Sequence, residues 1–223
     1  MDKIVIRLTI AIFIFGALFV PSALYGVELT PERAAAKGFA GGRFGVWTGT
    51  TNQNALDANG QPLEFAKSSL YAEFFYSQRV VPSLAVEFSI GIFSRGDFKY
   101  LASEDVMLGT VNLYPAFLSA KFFPLGSLTR TPLQPFFQAG GGLIYASQSA
   151  IDYYYDVTFT QESKTRLSYF LGGGLDWPVA DQIGLCFNYK YMPLEFGSTM
   201  AGIKNYSGWE ISFGMGYIFN TKK

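Results

Sequence analysis

Eight ionisable side chains stand within otherwise apolar, alternating segments of this 223-residue chain. They are four basic and four acidic residues: Arg43, Lys121, Arg166 and Lys190, with Glu73, Glu87, Asp176 and Glu210. Two carboxylates held beside a substrate-sized cavity can act as general acid and base. Opposite charges at similar heights on neighbouring strands form ion pairs instead. We therefore expect interstrand pairing rather than catalysis, in three pairs: Arg43 with Glu73, Glu87 with Lys121, and Lys190 with Glu210.

Other chemistry-bearing patterns are sparse. The chain has no histidine, which excludes Ser-His hydrolases and His-ligated metal sites. The single cysteine, Cys186, cannot form an internal disulfide and is predicted to be a small packed residue that faces inward. The glycine runs at 140–142 and 172–174 are not phosphate loops, because no helical pattern follows them. We expect no enzyme activity, no metal and no cofactor.

One acidic and aromatic segment could bind a ligand without being part of a catalytic or metal site. It comprises Asp152, Tyr153, Tyr154, Tyr155 and Asp156. Carboxylates beside tyrosine rings could contact sugars, a cation or a host surface. The preferred interpretation is that this loop packs over the mouth of the barrel that the strands below are predicted to form.

The bulk composition limits the class of protein. Residues 1–26 resemble a secretory signal peptide, with Lys3 and Arg7 ahead of an uncharged apolar run and small residues at its end. The remaining segment, 27–223, suffices for one domain. Without Asp2, Lys3 and Arg7 it keeps 15 of the 17 basic and 16 of the 17 acidic side chains. Such a near-neutral balance gives no indication of nucleic-acid binding.

The elements that must position the charged residues repeat with a period of two, which predicts strands. The predicted strands number eight: 38–49, 69–78, 84–93, 110–123, 135–147, 165–177, 183–194 and 209–219. Long and short connections largely alternate between them, as hairpins of an up-and-down arrangement require. No internal repeat and no second domain is visible.

The two faces of these strands differ sharply. One face is apolar, whereas the eight charges share the other face with glycine, alanine and serine. A soluble lipocalin-like binder would place the apolar face inside, but side chains as large as Trp177 and Trp209 would overfill an eight-stranded interior. Charge facing lipid costs about 2–4 kcal/mol for a mid-membrane Arg or Lys. The chain is therefore predicted to be all-β, an eight-stranded antiparallel up-and-down transmembrane β-barrel.

Aromatic residues cluster where the strands should meet the two membrane interfaces, which amphipathic rings favour. With the N-terminus in the periplasm, one set falls near the outer rim: Trp47, Tyr145, Tyr191 and Trp209. The other set falls near the periplasmic rim: Tyr76, Phe122, Trp177, Tyr217 and Phe219.

The last strand, "WEISFGMGYIF" at 209–219, alternates hydrophobic residues and ends in Tyr217-Ile218-Phe219. In this respect the chain resembles the eight-stranded outer-membrane barrels of Gram-negative bacteria, the group with opacity-type and OmpA-, OmpX- and OmpW-like proteins. The resemblance implies an outer-membrane location among lipid and lipopolysaccharide. It also implies that the barrel-assembly machinery recognises Trp209, Tyr217 and Phe219.

Members of this group share architecture more than activity, so the sequence leaves several functions open. The first expectation is a monomer with a largely filled, ion-paired lumen that serves membrane integrity or surface interaction through its outer loops. The second is an OmpW-like conduit or binder for small hydrophobic molecules. Five inward phenylalanines could line such a conduit: Phe75, Phe93, Phe117, Phe136 and Phe170. The soluble lipocalin-like binder is third.

Overall fold

A computed structural model of the protein describes residues 37–50, 55–56, 62–65, 68–100, 107–126, 133–152 and 158–220. The expected signal peptide lies outside these described residues. So do Tyr153, Tyr154, Tyr155 and Asp156 of the acidic and aromatic segment. The structure therefore describes the predicted barrel domain apart from its first residues, its last three and parts of its connections.

Twelve strands make up the described residues, and eight of them are long. In chain order they are β1 (Lys37–Gly49), β2 (Ala55–Leu56), β3 (Pro62–Phe65), β4 (Ser68–Val81), β5 (Leu84–Tyr100), β6 (Met107–Phe122), β7 (Gln134–Asp152), β8 (Thr158–Pro178), β9 (Ile183–Met192), β10 (Glu195–Met200), β11 (Ile203–Asn205) and β12 (Gly208–Asn220). The short pairs β2–β3 and β10–β11 lie within the first and last outer connections.

The eight long strands close into a barrel. Each pairs antiparallel with its neighbours in the order β1, β4, β5, β6, β7, β8, β9, β12, and β12 returns to β1. The closing ladder is continuous from Lys37 opposite Asn220 to Gly49 opposite Gly208. Closure leaves no unpaired sheet edge around the ring, which backbone groups surrounded by hydrocarbon require. The predicted fold class is confirmed.

The outer surface of the barrel is apolar. Leu118 is 61% exposed and Phe213 is 66% exposed, as are many other large hydrophobic residues of the outward face. On β8 the outward face is free of charge from Leu167 to Trp177. At about 3.3 Å per residue and a tilt of about 40°, this stretch covers roughly 25 Å, the height of a lipid-facing band.

Several strands continue beyond this band. β5 runs on to Tyr100 and β8 already begins at Thr158, so the connections between them and their partners are shorter than predicted. The extensions are outwardly polar, as at Ser149 and Thr165, and therefore lack the alternation that marks the lipid-facing part. β7 and β8 reach 19 and 21 residues, whereas β9 has 10, so the barrel wall is uneven in height.

No helix in the described part of the chain is long and apolar enough to cross a membrane.

Candidate functional site

The inner half of the lumen is occupied by a buried charge network centred on Arg43. Its Nη1 donates to Glu73 Oε1 at 2.5 Å and to Glu87 Oε1 at 2.9 Å, and its Nη2 donates to Glu87 Oε2 at 2.7 Å. The guanidinium also lies 3.8 Å from the centre of the Phe75 ring. Register places Arg43 opposite Glu73 across β1 and β4, with both side chains directed inward.

Two lysines extend the network around the lumen. Lys190 Nζ donates to both Glu73 oxygens at 2.9 Å and lies 3.4 Å from Glu210 Oε2. Lys121 Nζ lies 2.7 Å from Glu87 Oε2 and 3.6 Å from an Asp176 oxygen. The three expected pairs are present, but they are joined into one network of seven residues and are not separate contacts.

Arg166, the eighth residue of the predicted set, lies outside the network. It shares the inward face, opposite Ile144 on β7, but its side chain is exposed above the lipid-facing band. The ion pairs of the described residues do not include it. The prediction had the correct face and the wrong height, because the solvated rim of a barrel keeps the same alternation as its lumen.

The fourth basic side chain in the lumen is that of Arg79, where the sequence analysis had predicted Arg166. It interacts electrostatically with Asp176, donates to the Gln134 side chain, and lies 4.1 Å over the Phe123 ring. The sequence interpretation put Arg79 in a turn, whereas β4 continues to Val81. With Arg79 the lumenal charges are again four against four.

The charge network is packed closely against neighbouring polar and small residues. Gln138 donates to Glu87 Oε1 at 2.9 Å and to Ser119 Oγ at 2.8 Å, which ties the network to β6 and β7. A Cβ at Gly214 would stand 2.6 Å from Arg43 Cγ and 2.8 Å from Cys186 Sγ. The small residues of the inward face therefore make room for the long charged side chains.

The outer half of the lumen has the opposite character. We call this half the outer chamber. Ten buried residues form its wall: Trp47, Tyr71, Phe93, Val111, Leu113, Phe117, Ile144, Ala146, Phe170 and Met192. Trp47 is 1% exposed and stacks on Phe93 with ring centres 4.4 Å apart. The prediction of Trp47 at the lipid interface is wrong, because its odd position on β1 puts it on the same inward face as Arg43.

The strands β10 and β11 form a hairpin, 195–205, that packs into this chamber; we call it the lumen hairpin. It and its flanks contribute buried apolar side chains: Leu194, Phe196, Met200, Ile203 and Tyr206. Its turn places Ala201 and Gly202 at φ 47° and 74°. Hydrogen bonds anchor the hairpin to the wall, where Lys164 Nζ donates to Thr199 O at 2.5 Å and the Ala201 N–H donates to Gln148 Oε1 at 2.8 Å. Its flanks are anchored by Ser168 Oγ, which donates to Pro193 O at 2.6 Å, and by the Thr50 N–H, which donates to Ser207 O at 3.0 Å.

A small cavity remains where the charge network meets the outer chamber. Its volume is about 10 Å³, which is the space of one water-sized group. Trp47, Phe117 and Phe170 line its apolar side, and Lys190 and Glu210 form its floor. The indole Nε1 of Trp47 has no hydrogen-bond partner among the described residues.

The hydrogen-bond ladder between β5 and β6 is interrupted beside this cavity. Along β5 and β6, Ile90 pairs with Ala116 and Phe93 with Leu113, but the two pairs between them are missing. One of the unpaired residues is Pro115, which lines the cavity and has no N–H to donate. Pro115 keeps its partner on β7, so the gap lies on the β5 side alone.

The remaining predicted residues lie on the outside or are divided between the two halves. Trp209, Tyr217 and Phe219 are on the outward face of β12, and Phe219 stacks on Tyr76 with ring centres 5.9 Å apart. The five inward phenylalanines do not form one funnel. Phe93, Phe117 and Phe170 line the outer chamber, whereas Phe75 and Phe136 contact the charge network.

Among solved structures, the chain is similar to the outer membrane protein OprG from Pseudomonas aeruginosa, with a TM-score of 0.58 and 16% identity over 84% of this chain and 98% of that chain. It is also similar to Neisserial surface protein A (NspA), with a TM-score of 0.51 and 16% identity over 82% of this chain and 97% of that chain. No protein-family model and no curated protein sequence matches it. By fold, the protein is an eight-stranded antiparallel β-barrel of the kind found in these outer-membrane proteins.

Proposed function

We propose that this protein is a non-enzymatic outer-membrane barrel that admits small hydrophobic molecules to its outer chamber and releases them sideways into lipid. The observation that carries the proposal is the apolar outer chamber, beside which the β5–β6 ladder is interrupted at Pro115. Barrels of this class ordinarily have a polar interior, so an apolar upper lumen calls for a function. The charge network closes the direct path to the periplasm below it.

In this proposal the lumen hairpin must withdraw before a molecule enters, since its side chains fill the chamber. Lys164, one of its anchors, hydrogen-bonds carbonyl oxygens at the exposed rim, where water competes with such contacts.

We further propose that the protein acts as a monomer amid lipid and lipopolysaccharide. The barrel-assembly machinery would recognise its last strand through Trp209, Tyr217 and Phe219.

Pro115→Ala tests the sideways route. Alanine supplies the missing N–H, so the β5–β6 ladder can close beside the cavity. One backbone hydrogen bond shifts an opening equilibrium by roughly three- to tenfold. We expect the uptake of radiolabelled naphthalene by cells that depend on this barrel to fall by about that factor.

Pro135→Ala is the matched control, because Pro135 lies on β7 in an uninterrupted ladder, opposite Leu175. Its uptake should equal that of the wild type. Undiminished uptake by the Pro115→Ala barrel, at equal surface abundance, would contradict release through this part of the wall.

The filled lumen favours a second candidate, a role in membrane integrity or surface interaction. This role needs no movement of the lumen hairpin. A strain without the protein would become sensitive to detergent, and a barrel whose hairpin is shortened by replacing 195–205 with a Gly-Ser linker would restore resistance. Restoration of resistance without any protein-dependent naphthalene uptake would establish the second candidate over the first.

Both candidates exclude an open aqueous pore, since the lumenal charges are paired and packed. We expect single-channel recordings in planar bilayers to show no stable conductance for the purified barrel. A large and lasting conductance would contradict the closed inner half of the lumen.

A further inference from the structure

Two polar groups that face the outer chamber have no hydrogen-bond partner among the described residues: Trp47 Nε1 and the hydroxyl of Ser69, which lies opposite Trp47 across β1 and β4. Trp47 Nε1 is a buried donor on a residue that is 1% exposed, and it has no acceptor among the described residues. Buried donors in folded proteins are nearly always paired, so an exception beside a cavity indicates an external acceptor. The indole ring has no hydrogen-bond acceptor, so its N–H can only donate.

No polar side chain that lines the cavity accepts a hydrogen bond from Trp47 Nε1. Glu210 lies directly opposite Trp47 across β1 and β12. Its Oε1 accepts from Ser212 Oγ at 2.6 Å, and its Oε2 faces Lys190 Nζ at 3.4 Å. The Tyr71 hydroxyl, on the same cavity, donates to Glu73 Oε2 at 2.7 Å. The described side chains around the cavity are thus committed to the charge network.

We infer that the molecule that occupies the outer chamber is a small hydrophobic compound with one acceptor oxygen, and that this oxygen accepts the Trp47 N–H. The inference rests on the proposed function and adds its substrate class. The apolar body would lie against Phe117, Phe170 and Met192, where the lumen hairpin packs in the closed state. Small ketones, ethers and alcohols have this chemistry, whereas plain hydrocarbons lack it.

The test compares two compounds of the same shape. Acetophenone has a carbonyl oxygen where α-methylstyrene has a CH₂ group. Binding is measured to the full-length barrel in lipid nanodiscs, with protein-free nanodiscs to subtract partitioning into lipid. We expect acetophenone to bind roughly five- to tenfold more tightly, the effect of one hydrogen bond to a donor that is otherwise unsatisfied.

The indole N–H supplies a direct readout. The chain has three tryptophans, so ¹⁵N-indole labelling gives three N–H signals, and Trp47→Phe identifies the one of interest. Acetophenone should move the Trp47 proton signal downfield, and α-methylstyrene should not. In Trp47→Phe the two compounds should bind with equal affinity, near that of α-methylstyrene for the wild type.

The outcomes separate this inference from the proposed function. Equal binding of both compounds to the wild type, without a downfield shift, would overturn the inference and leave the proposed function standing. Binding of neither compound would overturn the proposed function itself. Should Trp47→Phe fail to fold, Trp177→Phe and Trp209→Phe assign the Trp47 signal by elimination, and the wild-type affinities and the indole shift still decide.

Discussion

Arg43→Met is expected to lower the free energy of unfolding by about 3–5 kcal/mol, because it leaves Glu73 and Glu87 buried without their shared cation. Arg43 is fully buried and makes three charge-assisted hydrogen bonds to these two carboxylates. Lys190 and Lys121 remain beside them, but the lumenal charges, which balance four against four when Arg79 is included, then leave one uncompensated negative charge. Urea unfolding in lipid vesicles, followed by tryptophan fluorescence and gel mobility, measures the loss.

A double change separates pairing from packing. Arg43→Met combined with Glu73→Gln restores the charge balance, since Lys121 retains Glu87 and Lys190 retains Glu210. We expect the double variant to be more stable than either single variant, Glu73→Gln included. Arg166→Met is the control on an exposed part of the inward face, with an effect within about 0.5 kcal/mol. Losses that simply add in the double variant would show that the charges do not interact.

Leu118→Arg is expected to destabilise the barrel by about 2–4 kcal/mol, the cost of an arginine at the bilayer midplane. Leu118 is 61% exposed on β6, midway between the outward residues Tyr114 and Phe122. In a soluble barrel the same residue would face water, and arginine would be tolerated there. The substitution therefore tests which solvent surrounds the outward face.

Leu167→Arg is the depth control. Leu167 is 76% exposed, more than Leu118, but it lies at the outer limit of the apolar band of β8. An arginine near the interface costs about 0–1 kcal/mol, because its side chain reaches the head groups. Equal costs at the two positions in vesicle unfolding experiments would contradict the membrane placement. Equal costs in detergent alone would not, since micelles have no fixed depth.

Period-two alternation was sufficient to predict the faces of the strands. Glu73, Lys121 and Lys190 are buried where the pattern places them, because a one-residue slip would have moved each into lipid. The barrel order followed from the same alternation together with the short turns. The pattern does not predict how far along the barrel axis a residue lies, since residues two positions apart on a strand have the same inward direction. Arg166 was therefore assigned to the network, although it stands above it.

The outer chamber depended on information that local patterns do not contain. Nothing in the segment 195–205 marks it as a hairpin that turns into the lumen, because its partners are wall residues far away in sequence. The inward direction of Trp47 could have been predicted, since it lies four residues after Arg43 on β1 and therefore on the same face of the strand. The general preference of tryptophan for membrane interfaces was given more weight than that position, and the prediction was wrong for this reason.

The strands of the barrel wall differ in length, so the mouth of the barrel is higher on one side than on the other. β7 and β8 extend to 19 and 21 residues, whereas β9 has 10 and β1 and β12 have 13 each. The rim formed by these strands is therefore oblique, low along β9, β12 and β1 and high on the opposite side. Under the proposed function, a molecule diffusing just above the lipid would meet the low side first, so its approach to the chamber would run along the membrane surface more than down from the surrounding medium.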